Sequence, residues 1–129
     1  MAIATPDAPG RVPGRAAIEA YGNGGFRFAG MSHRGSILCL PTAIEAWAVT
    51  QAADLTLENF NRVLEERDGI EILLVGVGRN VALLPRSISD VLRASGIGVD
   101  TMDTGAAART YNVLLTEGRA VAAALIAVD

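Results

Sequence analysis

The sequence predicts a single α/β domain in which an antiparallel hairpin layer joins a mixed sheet flanked by helices. Two observations carry this. Short alternating strands separated by glycine turns crowd the first third of the chain, and helix-then-strand alternation fills the rest. A third bounds it: 129 residues, half of them hydrophobic, with 14 acids against 11 bases for a net charge of -3, make one domain able to bury a core without metal or disulfide. No internal repeat or second domain is visible. A disordered or extended tail is therefore expected at residues 1–15 and the globular unit at residues 16–129.

The tail is marked by Pro6, Pro9 and Pro13 with Gly10 and Gly14, which offer little apolar surface against the entropy of ordering. Ala16 to Tyr21 reads as a strand, and Asn23-Gly24-Gly25 tolerates the positive φ of a tight turn into Phe26-Arg27-Phe28. A polar turn is expected over Ser32-His33-Arg34-Gly35, and a third strand over Ser36 to Leu40, ended by Pro41. Ile44 to Val49 is too short for periodicity to separate strand from helix, and strand is preferred. Thr56 then suits an N-cap, with Leu55 and Phe60 as a hydrophobic staple and Leu57, Phe60 and Leu64 on one helical face. Gly69 stops that helix, and Glu71 to Val75 is a buried strand. A second helix is expected from Pro85 to Ser95, with Ile88, Val91 and Leu92 on one face, followed by a strand at Val99 to Met102. Asp103 or Thr104 caps a third helix whose Ala107, Tyr111, Leu114 and Leu115 form an apolar arc. Ala120 to Val128 is the last strand, and it should share a sheet with Glu71 to Val75 and Val99 to Met102.

Composition excludes many chemistries. One Cys (Cys39) and one His (His33) cannot make a zinc site of the Cys/His kind or an internal disulfide, and no carboxylate cluster replaces them, so no metal and no cofactor are expected. All basic residues are arginine, which removes the P-loop lysine, the kinase lysine and Schiff-base catalysis. Few aromatics and an acidic balance argue against nucleic acid. The longest apolar run, Ala120 to Val128, is far short of the roughly 20 residues that span a bilayer, so membrane insertion is not expected while peripheral association stays open. The first fifteen residues lack the apolar stretch of a secretory signal, and the cytoplasm is the expected location.

Three constellations bear on function. Gly76-Val77-Gly78-Arg79-Asn80-Val81 follows a strand, with Asp100 and Asp103 about 20 residues on, but Val81 stands where a dinucleotide fingerprint has its third glycine. Cys39 lies in an apolar strand that raises its pKa rather than activating it, which leaves His33 as a turn residue. The third helix is the densest polar group. Arg109, Asn112 and Thr116 project away from its apolar arc with no capping or core duty. If the strands before them are parallel, its start and the Gly76 to Arg79 turn share the edge where open α/β sheets bind ligands. Arg79 and Arg109 could then face one cleft and receive an anion, against the repulsion of Asp103. The candidate binding residues are Gly76, Gly78, Arg79, Thr104, Arg109, Asn112 and Arg119, with no catalytic residue assigned.

The stretches Tyr21-Gly-Asn-Gly-Gly-Phe-Arg-Phe, Gly35-Ser-Ile-Leu, Leu55-Thr-Leu-Glu, Leu74-Val-Gly-Val-Gly-Arg, Met102-Asp-Thr, Arg109-Thr-Tyr-Asn-Val-Leu and Glu117-Gly-Arg-Ala-Val-Ala-Ala-Ala-Leu-Ile, with Pro41 and Trp47, carry a resemblance. The chain resembles a family of uncharacterised prokaryotic proteins related to the mitochondrial respiratory complex I (NADH dehydrogenase) assembly factor 3. That resemblance implies a three-layer fold, with a β plus α layer, a mixed five-stranded sheet and a layer of helices. It also implies a non-catalytic binding or assembly protein acting on respiratory complex subunits. Many relatives carry a cysteine where this chain has Ala108, so a thiol role is not carried over. The alternative is a small-ligand binder or enzyme using a cleft between the Gly76 to Arg79 turn and the helix starting at Thr104. A protein partner is expected, and a homo-oligomer stays open.

Overall fold

The computed structural model describes residues 11–129. Most of the expected tail lies outside them. The described part contributes a strand, β1 (Arg11–Pro13), that pairs antiparallel with β6 (Ala43–Trp47). The sheet therefore has six strands, where the resemblance implied five. Its order is β1, β6, β5 (Ser36–Cys39), β9 (Val121–Leu125), β7 (Ile72–Gly76) and β8 (Gly98–Met102). β9, β7 and β8 run parallel, while β5 joins β9 antiparallel, so the three strands expected to share a sheet do so. Helix α2 (Arg86–Ala94) connects β7 to β8 on one face, and α3 (Thr104–Thr116) connects β8 back past β7 to β9 on the other. Reversing direction and face together gives both crossovers the same hand.

Period-2 alternation sorts the sheet residues between two cores. Leu38, Leu73, Val75, Ala122 and Ala124 face α2 and the five-residue helix α1 (Asn61–Glu65). Ile37, Cys39, Leu74, Ala123 and Leu125 face α3 and a second, three-stranded antiparallel sheet of β2 (Ile18–Gly22), β3 (Gly25–Phe28) and β4 (Met31–Arg34). A strand with both faces covered must be apolar throughout, which is why β9 reads as an unbroken Val-Ala-Ala-Ala-Leu run.

Three local expectations are corrected. Of the polar turn expected over Ser32 to Gly35, Ser32, His33 and Arg34 lie in strand β4, with His33 buried, and the turn is confined to Gly35, at φ 101°. The chain turns into β4 at Ala29 and Gly30, whose φ values are 51° and 72°. Thr56 does begin helical structure, and Asn59 Oδ1 accepts its backbone N–H at 2.7 Å, but the first turn (Leu57–Phe60) is a 3-10 helix. That tighter turn buries Phe60 and leaves Leu57 exposed, while Trp47 packs edge-on against Phe60 at 5.6 Å and donates to the Asn59 carbonyl. On α2 the buried stripe is Ile88, Ser89 and Leu92, with Val91 exposed.

At the β1 edge a charge cluster fastens α1 to the sheet. Arg62 donates to Glu45 at 2.9 Å, to Glu65 at 2.7 Å and to Glu66 at 2.7 Å, and Arg11 meets Glu45 at 3.3 Å. Burial pushes the Glu45 carboxyl up, but hydrogen bonds and charge from Arg62 and then Arg11 outweigh it and hold it below the usual carboxylate range. A carboxyl whose folded pKa lies below its unfolded value of about 4.3 contributes stability above that value and loses it as pH falls through the folded pKa. Arg62→Met should therefore cost about 1–3 kcal/mol in urea unfolding at neutral pH, because Glu66 loses its paired charge and Glu45 is left with Arg11 alone among the described residues. The gap from the parent chain should narrow below about pH 4.

Candidate functional site

Because β7, β8 and β9 are parallel, their C-terminal ends share one edge of the sheet, where the Gly76 to Arg79 turn and the start of α3 meet. Thr104 organises this edge. It is fully buried, its backbone N–H donates to the Gly78 carbonyl at 2.8 Å, and its hydroxyl donates to the Ile126 carbonyl at 2.7 Å and accepts the Gly78 N–H at 3.0 Å. One side chain thus ties the exits of β7 and β9 to the first turn of α3. Asp103 caps that turn by accepting the Ala106 N–H at 2.9 Å. Gly76 is a packing glycine: a Cβ there would stand 2.9 Å from the Thr104 Cα and 3.0 Å from a Leu125 methyl.

The other side of α3 is covered as well. The Asn112 side chain pairs with the backbone of Ile18 as a strand would, accepting its N–H and donating to its carbonyl, both at 2.8 Å. Asn112 therefore has a structural duty that its solvent-facing spacing concealed, which corrects the sequence expectation. One turn earlier Arg109 donates to the Tyr21 hydroxyl at 3.0 Å. The Tyr21 ring lies across Gly105, where a Cβ would collide with the phenol oxygen and stand 2.8 Å from Cζ. Tyr21 is the residue that sequence reasoning missed. The available signal was an aromatic beside a turn with no evident core partner.

Tyr21 divides the edge into two hollows. One, of about 240 Å³, is bounded by Gly78, Arg79, Asp103, Gly105 and Asp129, and there Arg79 donates to the Asp129 carbonyl at 2.6 Å. The other, of about 510 Å³, runs along the groove between β2 and α3 beside Ala20, Ala108, Arg109 and Asn112. Arg79 and Arg109 thus stand on opposite sides of Tyr21. Arg119 is elsewhere: it pairs with Glu71 at 2.6 Å, just before β9 and β7 begin, at the opposite edge of the sheet.

Burial shifts both Cys39 and His33 toward their neutral forms. Burial pushes the Cys39 thiol up to about 12, offset in part by the neighbouring Tyr111 hydroxyl. Burial also lowers the His33 pKa. Its Nε2 lies 3.3 Å from the Ser36 carbonyl, and its Nδ1 has no partner among the described residues.

The fold and this edge define a small mixed α/β domain with a seam between a helix and an edge strand. The chain belongs to the family described as Protein of unknown function (DUF498/DUF598), which matches residues 18–126. It is 41% identical over 126 residues to an uncharacterized protein of Rhodobacter capsulatus, covering 98% of this chain and 93% of that one. It is 36% identical over 111 residues to the human NADH dehydrogenase [ubiquinone] 1 alpha subcomplex assembly factor 3, covering 84% of this chain and 59% of that protein. The Xenopus tropicalis assembly factor is 38% identical, with 60% of its length spanned. Among solved structures, one described as an outer membrane protein from Bartonella henselae superposes with a TM-score of 0.88 at 56% identity, covering 91% of this chain and 98% of that one. A Rhodopseudomonas palustris protein gives 0.82 at 44% identity, covering 98% and 93%. Among the described residues, no helix is long and apolar enough to cross a membrane.

Asn112→Ala leaves both polar groups of Ile18 without their partner and should cost about 1–3 kcal/mol in chemical denaturation, where a solvated helix position would cost within about 0.5 kcal/mol. Gly105→Ala should displace Tyr21, read as a loss of protection of the β2 amides in hydrogen exchange.

Proposed function

We propose that this chain is a non-catalytic cytoplasmic binding protein that assists the assembly of a respiratory complex, holding a protein subunit against the Tyr21–Arg109 seam. The similarity to the complex I assembly factors over 84% of the chain carries the reading. The seam supports it locally. It offers an exposed tyrosine, an arginine with no carboxylate partner among the described residues, and a groove floored by alanine. Tyrosine and arginine dominate interface energetics because each combines broad contact area with directed hydrogen bonds.

The second reading, a small ligand in the 240 Å³ hollow, draws on the Gly78 turn and the start of α3, which line it. It is weaker, since Arg79 is already engaged by the Asp129 carbonyl and Asp103 opposes an anion there.

Arg109→Glu tests the proposal. Arg109 is exposed, so the thermal midpoint should stay near that of the parent chain, while recovery of respiratory subunits with the tagged protein should fall about tenfold or more. Unchanged recovery from a folded variant would refute the seam as the docking face. Loss of a stabilising metabolite with partners retained would favour the hollow.

A further inference from the structure

The segment after β7 carries a second surface. Residues 81–84 run with alternating exposure: Ala82 and Leu84 pack on the core, while Val81 and Leu83 point outward, 69% and 91% exposed. An extended segment on a soluble surface ordinarily turns polar side chains outward, and here the outward pair is apolar. Arg79 and Arg86 flank it. No acid occurs between residues 72 and 89, in a chain whose net charge is -3, so the basic character is local. Asp90 is the first acid beyond it, one turn along α2 from Arg86. Neither Val81 nor Leu83 lines either hollow beside Tyr21.

We infer that residues 79–86 form a docking tip for an anionic lipid surface, with Val81 and Leu83 entering the interfacial region of the bilayer and the flanking arginines meeting phosphate headgroups. Two features select a bilayer. Leu83 is 91% exposed, and a fluid interface accepts such a leucine without a pocket of matching shape. The cations sit on both sides of the apolar pair, as a negatively charged leaflet requires. Arg79 shares its hollow with Asp103 and Asp129, so Arg86, which has no ion-pair partner among the described residues, is the informative cation.

The test is co-sedimentation of the full chain with vesicles of phosphatidylglycerol mixed with phosphatidylcholine, and with phosphatidylcholine alone. The chain should pellet with the anionic vesicles and be released as salt rises. Leu83→Ser should lower the partition about tenfold or more, and Arg86→Gln about fivefold. Both side chains are solvent-exposed, so melting temperatures should match the parent chain. Failure of the parent chain to bind anionic vesicles, or undiminished binding by Leu83→Ser, overturns the inference. So does a Leu83→Ser variant that loses a protein partner when no vesicle binding existed to lose. Because this surface is separate from the seam, Arg109→Glu should keep vesicle binding. The lipid inference and the assembly proposal therefore fail on different readouts.

Discussion

Helix α3 has to satisfy two sheets at once, and that requirement governs most of what is distinctive here. Toward the six-stranded sheet it presents Thr104, Ala107, Ala108 and Tyr111, all buried, and the first of them closes three backbone hydrogen bonds at the exits of β7 and β9. Toward β2 it presents Gly105, Arg109 and Asn112, which seat a tyrosine ring, donate to its hydroxyl and clasp a peptide group. Small residues are obligatory along such a helix. The missing Cβ at Gly105 and the alanines at 107 and 108 let two layers approach it, and β9 answers with Ala123 on the face that lies beneath. Well-packed interiors tolerate little change in volume, so these positions are held by geometry more than by any gain in apolar area.

This wedge explains why the exposed chemistry is spare. Polar groups on α3 that could have faced solvent are consumed in holding β2. What remains outside is Tyr21 with Arg109, two side chains that combine broad contact area with directed hydrogen bonds. The single thiol and the single imidazole are enclosed as well: Cys39 is sealed in the core and His33 is buried in β4. Charge is partitioned too. The acidic α1 end is neutralised internally by Arg62, while the segment leading into α2 keeps its arginines outward beside exposed apolar side chains. The Tyr21–Arg109 seam and the Val81–Leu83 surface are built from different segments.

Much of the fold was legible because burial writes a simple pattern. The apolar runs within Glu71 to Val75 and Ala120 to Val128 read as strands covered on both sides, and Asp103 or Thr104 marks the start of α3. The elements that escaped carry weak local signals. Met31-Ser-His-Arg has no β-branched or aromatic residue, and the turn before it uses Ala29 at positive φ, a conformation that an alanine does not advertise. β1 is three residues long, includes a proline, and is specified by distant contacts, its pairing with β6 and the Arg11–Glu45 ion pair. At the site, helical spacing placed Arg109 and Asn112 correctly on one side of α3. It could not show that another sheet covers that side, because the contact joins Ile18 to Asn112 across 94 residues. Tyr21 was missed for the same reason.

The proposal that α3 and β2 form one docking face is tested most directly by hydrogen exchange on the chain bound to a respiratory subunit that co-purifies with it. The account predicts added protection of backbone amides in residues 18–22 and 104–112, with the acidic α1 region unchanged. Protection confined to residues 54–71, with the α3 and β2 amides exchanging as in the free chain, would contradict it.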